Sequence, residues 1–257
     1  MQNLNFTVVQ THLYWEDIKA NLAHFTMKLE SVSDTDVIIL PEMFSTGFSM
    51  NTEKLAKESA ELTMNWMMEM AAEKQAAVMG SFMNYVESTG KYHNTLAFVE
   101  PDGKVQYYHK RHLFTPGDEP KHFSAGKDRL VIDYKGWRIC PLICYDLRFP
   151  VFSRNNVDYD VLIYVANWPE VRNYAWQQLL KARAIENQCY LIACNRIGED
   201  GHGVKHAGNS CIVNFKGEEI GFGNEDKNYQ FNLGKQALLH YRDQFPVLRD
   251  RDEFQLI

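Results

Sequence analysis

The chain has 257 residues, with 27 Lys+Arg against 33 Asp+Glu, a formal net charge of −6. Hydrophobic residues make up 45% and charged residues 23%, a balance that excludes a disordered chain. An acidic balance also argues against nucleic acid as the main partner, because a polyanion needs a basic face. A chain of this size hides roughly 70–75% of its unfolded surface, enough for a large core without staples.

No apolar run approaches the ~18–20 residues needed to span a bilayer, so no membrane partner is expected. The start, Met1-Gln2-Asn3-Leu4-Asn5, lacks a basic region and a long apolar region and reads as a strand start rather than a signal peptide. Five cysteines, Cys140, Cys144, Cys189, Cys194 and Cys211, are an odd number in a long chain. That favours a reduced, cytoplasmic setting over a disulfide framework. No linker, repeat or low-complexity tract divides the chain, so one domain over 1–257 is expected.

In chain order, strand-length apolar runs fall at Phe6–Val9, Val37–Leu40, Ala77–Phe82, Thr95–Val99, Arg138–Ile143, Val161–Val165, Tyr190–Asn195 and Ser210–Phe215. Several are continuous rather than alternating, the pattern of strands covered on both faces. Helical patterns separate some of them. Trp15–Val32 carries Ile18, Leu22, Phe25 and Leu29 at three- to four-residue spacing. Glu53–Lys74, with its Met-rich face, and Tyr174–Gln188 read the same way. Asp102-Gly103, Lys135-Gly136 and Lys216-Gly217 are hairpin turn signals. Strand–helix alternation mixed with hairpins predicts an α/β fold with mixed sheets. Periodicity alone leaves open one three-layer sheet or two sheets packed face to face.

Three segments carry chemistry. Arg138–Pro150 runs an apolar strand into Cys144 and then a polar turn, with Pro150 suited to a first helical turn. A cysteine there lies near free backbone N–H groups, which can lower the thiol pKa and hold an oxyanion; alone, it is more often a small buried hydrophobe. Glu42 follows the strand Val37–Leu40 and Pro41, at the strand end where open α/β sheets bind ligands. Lys110 follows the strand Val105–Tyr108 in an aromatic-rich neighbourhood.

Glu42, Lys110 in a K-x-H-L-F-like segment, and Cys144 before a short polar turn stand in the chain order of the nitrilase, or carbon–nitrogen hydrolase, superfamily, which this sequence resembles. Glu119–Gly126 resembles the family segment that carries a second glutamate. Ala166–Pro169, Arg183–Asn187 and Cys194–Gly198 are similar to further landmarks. The resemblance covers almost the whole chain. It implies a four-layer α-β-β-α sandwich, with mixed sheets inside and helices outside. It implies Cys144 as nucleophile, Glu42 as proton acceptor, Lys110 as oxyanion stabiliser and Glu119 as a supporting acid. Within the superfamily, Pro41–Phe48 and Cys144–Pro150 look like bacterial YafV-like omega-amidases. That branch implies amide hydrolysis of 2-oxoglutaramate or 2-oxosuccinamate through a Cys thioester. Another carbon–nitrogen hydrolase (N-carbamoyl amidase or aliphatic amidase) and a non-catalytic scaffold on the same fold are the alternatives.

The chemistry calls for no cofactor and no metal, and His and Cys lack zinc-ligand spacing. Arg148, four residues after Cys144, is a candidate for the substrate carboxylate or for an ion pair with Asp146. Phe44, Tyr145 and Trp168 are candidate pocket walls or core. The Gly201-His202-Gly203 segment reads as a plain loop, and Arg249–Glu253 as a solvated tail. The small-molecule amide and water are the expected partners, and the family implies a homodimer or larger homo-oligomer.

Overall fold

The computed structural model describes residues 3–221 and 223–255; Met1, Gln2 and the two C-terminal residues of the expected domain lie outside them. The first apolar run becomes β1 (Leu4–Gln10), one residue or two longer at each end than its apolar core. Helix α1 spans Ile18–Leu29 rather than Trp15–Val32. Glu16 adopts a positive φ of 56°, and Asp17 caps the helix by accepting the Ala20 N–H at 2.9 Å. β2 is Val37–Ile39, and α2 is Thr52–Lys74, closed by Gln75 in the left-handed region.

β3 (Ala77–Val86) and β4 (Lys91–Val99) extend beyond the apolar runs into polar residues. These ends are partly exposed, so hydropathy misses them, and the antiparallel pairing holds them. β5 is Val105–His109, and short α3 is Glu119–His122. β6 (Ile132–Tyr134) and β7 (Trp137–Ile143) form a hairpin at Lys135-Gly136. Then come α4 (Pro150–Ser153), with Pro150 in its first turn, β8 (Val161–Ala166) and α5 (Asn173–Glu186). Helix α5 stops two residues short of the expected Gln188, which takes a positive φ of 41°. β9 (Tyr190–Asn195), β10 (Ile197–Glu199), β11 (Lys205–Ala207), β12 (Cys211–Val213), β13 (Glu219–Gly221), β14 (Lys227–Leu233) and α6 (Lys235–Gln244) complete the order. The Asp102-Gly103 and Lys216-Gly217 turns close the β4–β5 and β12–β13 hairpins.

Two six-stranded sheets result, ordered β14-β1-β2-β3-β4-β5 and β13-β12-β9-β8-β7-β6. Each has a parallel centre, β1-β2-β3 and β7-β8-β9, with antiparallel flanks. Phe6, Val8, Ile39 and Met79 of the first sheet share one core with Leu142, Ile163 and Ile192 of the second. Val9, Ile38, Leu40 and Val78 point the other way, onto Leu22 and Phe25 of α1 and Met67 of α2. Trp176, Leu180 and Ala184 bring α5 against the second sheet. The expected α-β-β-α sandwich is therefore what forms. The period-two alternation of the strands supplies an inner face for the opposite sheet and an outer face for the helices.

The C-terminal run is more tied down than a solvated tail. Leu248 is buried, and Arg251 donates to the Asn155 carbonyl at 3.2 Å and pairs with Asp158 at 3.0 Å.

Candidate active site

The parallel centres of the sheets aim their C-terminal ends at one place. Past β2, the backbone turns sharply at Met43 (φ 44°), whose N–H donates to Ser81 Oγ of β3 at 2.9 Å. That turn drives Glu42 inward, where it is fully buried. Lys110 leaves β5 and is likewise buried. Its Nζ donates to Glu42 Oε1 at 2.8 Å and to Glu119 Oε2 at 2.9 Å. Asn94 of β4 donates from one amide to both acids, at 2.9 Å to Glu42 and 3.1 Å to Glu119. The Asn167 N–H, just past β8, donates to Glu42 Oε2 at 2.8 Å. Two carboxylates and one ammonium thus share a dry, hydrogen-bonded cluster, the condition under which buried charge is tolerable.

Cys144 begins the turn that ends β7 and has a positive φ of 43°. For a non-glycine residue this is a strained conformation that its surroundings must enforce. Asp146 does so. Its Oδ2 accepts the Ile143 N–H at 3.0 Å and the Tyr108 hydroxyl at 2.7 Å. Its Oδ1 accepts the His112 N–H at 2.9 Å and lies 2.8 Å from His112 Nδ1. Asp146 therefore ties the cysteine turn to the strand and loop that carry Lys110. The ion pair expected between Asp146 and Arg148 does not form. The carboxylate is spent on Tyr108, His112 and Ile143, and the Arg148 guanidinium lies over the Trp168 ring at 4.9 Å.

Glu42, Lys110 and Cys144 border one cavity of about 260 Å³. Burial pushes the Cys144 thiol well above its ordinary pKa; Glu42 adds to the rise through charge and a hydrogen bond, and Lys110 opposes it. Burial works against the Lys110 ammonium, but Glu119, Glu42 and Cys144 outweigh it and hold its pKa above the usual lysine value. Burial raises the Glu119 carboxyl, with Lys110 pulling it down and Glu42 pushing it up. The three groups therefore act on one another electrostatically across the cavity wall.

Tyr145, Arg148 and Trp168 border the cavity, with Phe48 and Phe114 as further aromatic wall. Phe44 does not. It is fully buried beneath the site, edge-on to Phe25 at 5.3 Å and 5.7 Å from Trp66. The Met43 turn that points Glu42 into the cavity sends the Phe44 ring to the helical side. The 201–203 loop has more to do than expected. Asp200 and His202 border the cavity, and His202 packs edge-on against Trp15 at 5.0 Å.

Sequence reasoning missed Asn94, Asp146 and Arg172 as site residues. Asn94 gave no signal, because it lies in the polar first half of β4, before the apolar run. Asn167 lay within a quoted landmark but was given no role. Outside the site, ligand atoms of His12, His24 and Asp226 lie within 4.8 Å of one another, a grouping that spacing in sequence cannot reveal. Lys28 Nζ already supplies a cation there, 2.5 Å from Asp226 Oδ1.

A buried acid–lysine–acid cluster beside a strained cysteine, set between two facing mixed sheets, defines a class of cysteine hydrolase. A sequence profile of the carbon–nitrogen hydrolases matches residues 6–229, and the chain belongs to that family. It is 45% identical over 260 residues to Omega-amidase YafV of Escherichia coli, covering 100% of both chains. It is 32% identical over 240 residues to 2-oxoglutaramate amidase of Bacillus subtilis, covering 91% of each. A CN-hydrolase superfamily protein of Xanthomonas campestris, solved with an arsenic adduct in its active site, superposes with a TM-score of 0.95 at 38% identity, covering 100% of both chains. Saccharomyces cerevisiae Nit3 shares the fold, with a TM-score of 0.87 at 23% identity over 96% of this chain and 95% of that one.

Proposed function

We propose that this chain is an omega-amidase, hydrolysing the terminal amide of 2-oxoglutaramate or 2-oxosuccinamate to the 2-oxo dicarboxylate and ammonia. The observation that carries the reading is the hydrogen-bonded Glu42–Lys110–Glu119 cluster bordering the same cavity as Cys144. Full-length similarity to Omega-amidase YafV and the similarity to 2-oxoglutaramate amidase support the choice of substrate.

Because its pKa is raised, the Cys144 thiol carries its proton at rest. A proton acceptor must therefore act as sulfur attacks. Glu42, whose charge already acts on the thiol, takes that proton while Sγ bonds to the amide carbon. The carbonyl oxygen becomes an oxyanion. Lys110 has three N–H protons, which at rest go to Glu42 Oε1 and to both oxygens of Glu119; the longer Glu119 bond, at 3.1 Å, is the one given up to aim a proton at that oxygen. The backbone N–H of Tyr145, next to the nucleophile, is the second donor. Glu42 then returns its proton to the departing nitrogen, ammonia leaves, and a thioester remains. Water loses a proton to Glu42 and attacks the thioester. Collapse expels the sulfur, which recovers the proton from Glu42. Glu119 transfers no proton: it fixes Lys110 and is itself held by the Phe114 N–H.

In this reading the 257 residues form a single carbon–nitrogen hydrolase domain working in the cytoplasm as a homodimer. Exposed Val151, Val171, Tyr174 and Ile185 on and around α4 and α5 support pairing through outer helices. No helix among the described residues is long and apolar enough to cross a membrane.

Ammonia release from 2-oxoglutaramate, an N-carbamoyl amino acid, a neutral aliphatic amide and a nitrile tests the proposal. The expected order puts 2-oxoglutaramate first. A preference for the carbamoyl or neutral substrate would move the chain to another branch, and no release from any of them would favour a scaffold.

A further inference from the structure

Two guanidinium groups border the cavity from different segments. Arg148 belongs to the turn after Cys144 and lies over Trp168 at 4.9 Å. Arg172 belongs to the turn before α5 and lies over Phe114 at 5.3 Å. Elsewhere, partly or fully buried arginines are consumed by protein acceptors. Arg129 donates to the carbonyls of Phe152 and Arg154, Arg183 to that of Leu147, and Arg196 to that of Glu199. Neither Arg148 nor Arg172 has a side-chain hydrogen bond or ion pair among the described residues; each has only its ring.

The two rings also connect the arginines to each other and to the catalytic cluster. Trp168 carries the Arg148 guanidinium on its face and donates its Nε1–H to the Arg172 carbonyl at 2.9 Å. Phe114, beneath Arg172, has its N–H bonded to Glu119 and its ring edge-on to Tyr145 at 5.1 Å. Stacking fixes the plane of a guanidinium and leaves its N–H edge free, which suits a carboxylate. A net charge of −6 gives an anion no general attraction to this protein, so a local device is needed.

We infer that Arg172, acting with Arg148, binds the substrate's carboxylate and selects amides that carry one over neutral amides. The inference rests on the omega-amidase reading and deepens it. Arg148 was legible as a candidate from its place after Cys144. Arg172 enters because the fold brings it to the same cavity with its N–H groups unspent.

The test uses the full-length protein with Arg172→Gln and Arg172→Lys. For Arg172→Gln, KM for 2-oxoglutaramate is expected to rise about tenfold to a hundredfold, the scale of a lost charged hydrogen bond, with kcat changed far less. The loss in kcat/KM for a neutral amide is expected to be much smaller. Arg172→Lys, which keeps charge but loses the planar fork, is expected to recover part of the loss. A second readout needs no turnover: protection of Cys144 from iodoacetamide by 2-oxoglutarate. The protecting concentration should rise by the same factor in Arg172→Gln. Unchanged protection and KM, or an equal loss for the neutral amide, would overturn the assignment of Arg172. Failure of the wild type to hydrolyse 2-oxoglutaramate would instead sink the omega-amidase reading, and the protection assay would still decide whether Arg172 holds a carboxylate.

Discussion

Cys140 and Cys144 stand four residues apart on the same stretch of chain, and both thiols have raised pKa values. Cys140 sits inside β7, fully buried, opposite Leu162 of β8. Burial pushes it up to about 12, with Arg129 pulling down and Asp146 pushing further up. Cys144 sits where the strand breaks into a turn, 9% exposed at the cavity. It too lies well above the ordinary thiol value, because burial and Glu42 together outweigh Lys110. A lowered resting pKa therefore does not separate them. What separates them is a carboxylate positioned to take the proton, a cation positioned for the charge that follows, and an opening to the cavity. Reactivity here is arranged in the neighbours rather than stored in the sulfur.

Alanine at each position is the most severe test of that contrast. Cys144→Ala should lower ammonia release by about 10⁴-fold or more, since the covalent route disappears. Cys140→Ala should keep turnover within a few-fold and cost about 1–2 kcal/mol of stability in a denaturant titration, as for a small buried truncation. A folded Cys140→Ala protein without activity would erase the distinction.

The cation comes next. Lys110→Met strips the ammonium from between Glu42 and Glu119, leaving two buried carboxylates facing each other. Breaking a buried pair by removing one partner costs about 3–5 kcal/mol, and loss of an oxyanion donor costs about 10²–10³ in turnover. The urea midpoint and the rate should both fall. Lys104→Met, at an ammonium 57% exposed beside Glu100, should leave both nearly unchanged. Equal effects at the two lysines would deny the cluster any special role.

The proton acceptor can be isolated by pH. A thiol with a raised pKa is scarce as thiolate at neutral pH, so alkylation through free ionisation climbs tenfold per pH unit. If Glu42 accepts the proton during attack, the rate with iodoacetamide climbs far less than tenfold per pH unit. Glu42→Gln should slow it about 10²-fold at pH 7 and restore the tenfold climb. A wild-type protein that climbs with unit slope would remove Glu42 from the proton's path.

Much of this was legible along the chain. Most strand cores, the three longest helices and the hairpins at Asp102-Gly103, Lys135-Gly136 and Lys216-Gly217 announce themselves through apolar periodicity and X-Gly turns, whereas the β3–β4 and β10–β11 hairpins, β14 and α6 do not. Glu42, Lys110 and Cys144 are recognisable because each follows an apolar strand in a family order. The unread parts depend on contacts between distant segments. Asp146 looked like a partner for Arg148, two residues on, because sequence offers only near neighbours; the fold gives it Tyr108 and His112 instead. Phe44 looked like pocket wall because it neighbours Glu42, yet the positive φ at Met43 sends the two side chains apart. His202 looked like loop filler, and becomes cavity lining only once Trp15 is packed against it.

The smallest expected effect concerns Cys140 at high pH. An unfolded thiol loses its proton near pH 8.5, whereas folded Cys140 keeps it to about 12. Between those values the folded state binds the extra proton, so stability falls as pH rises. Each such thiol contributes a slope of up to about 1.4 kcal/mol per pH unit. Burial pushes Cys189, Cys194 and Cys211 in the same direction, so the wild type should weaken steadily above about pH 8.5. Cys140→Ala removes one proton from that difference, and its curve of unfolding free energy against pH should be shallower than the wild type's. Lys110, whose folded pKa is also raised, stabilises below the ordinary lysine value and loses that contribution only above it. Measurements just above pH 8.5 therefore read mainly the thiols, before buried Tyr108, Tyr159 and Tyr164, whose pKa values are also raised, add to the slope nearer pH 10. An identical slope with and without Cys140 would mean that water reaches the middle of β7, and that its sulfur is less different from Cys144 than its burial implies.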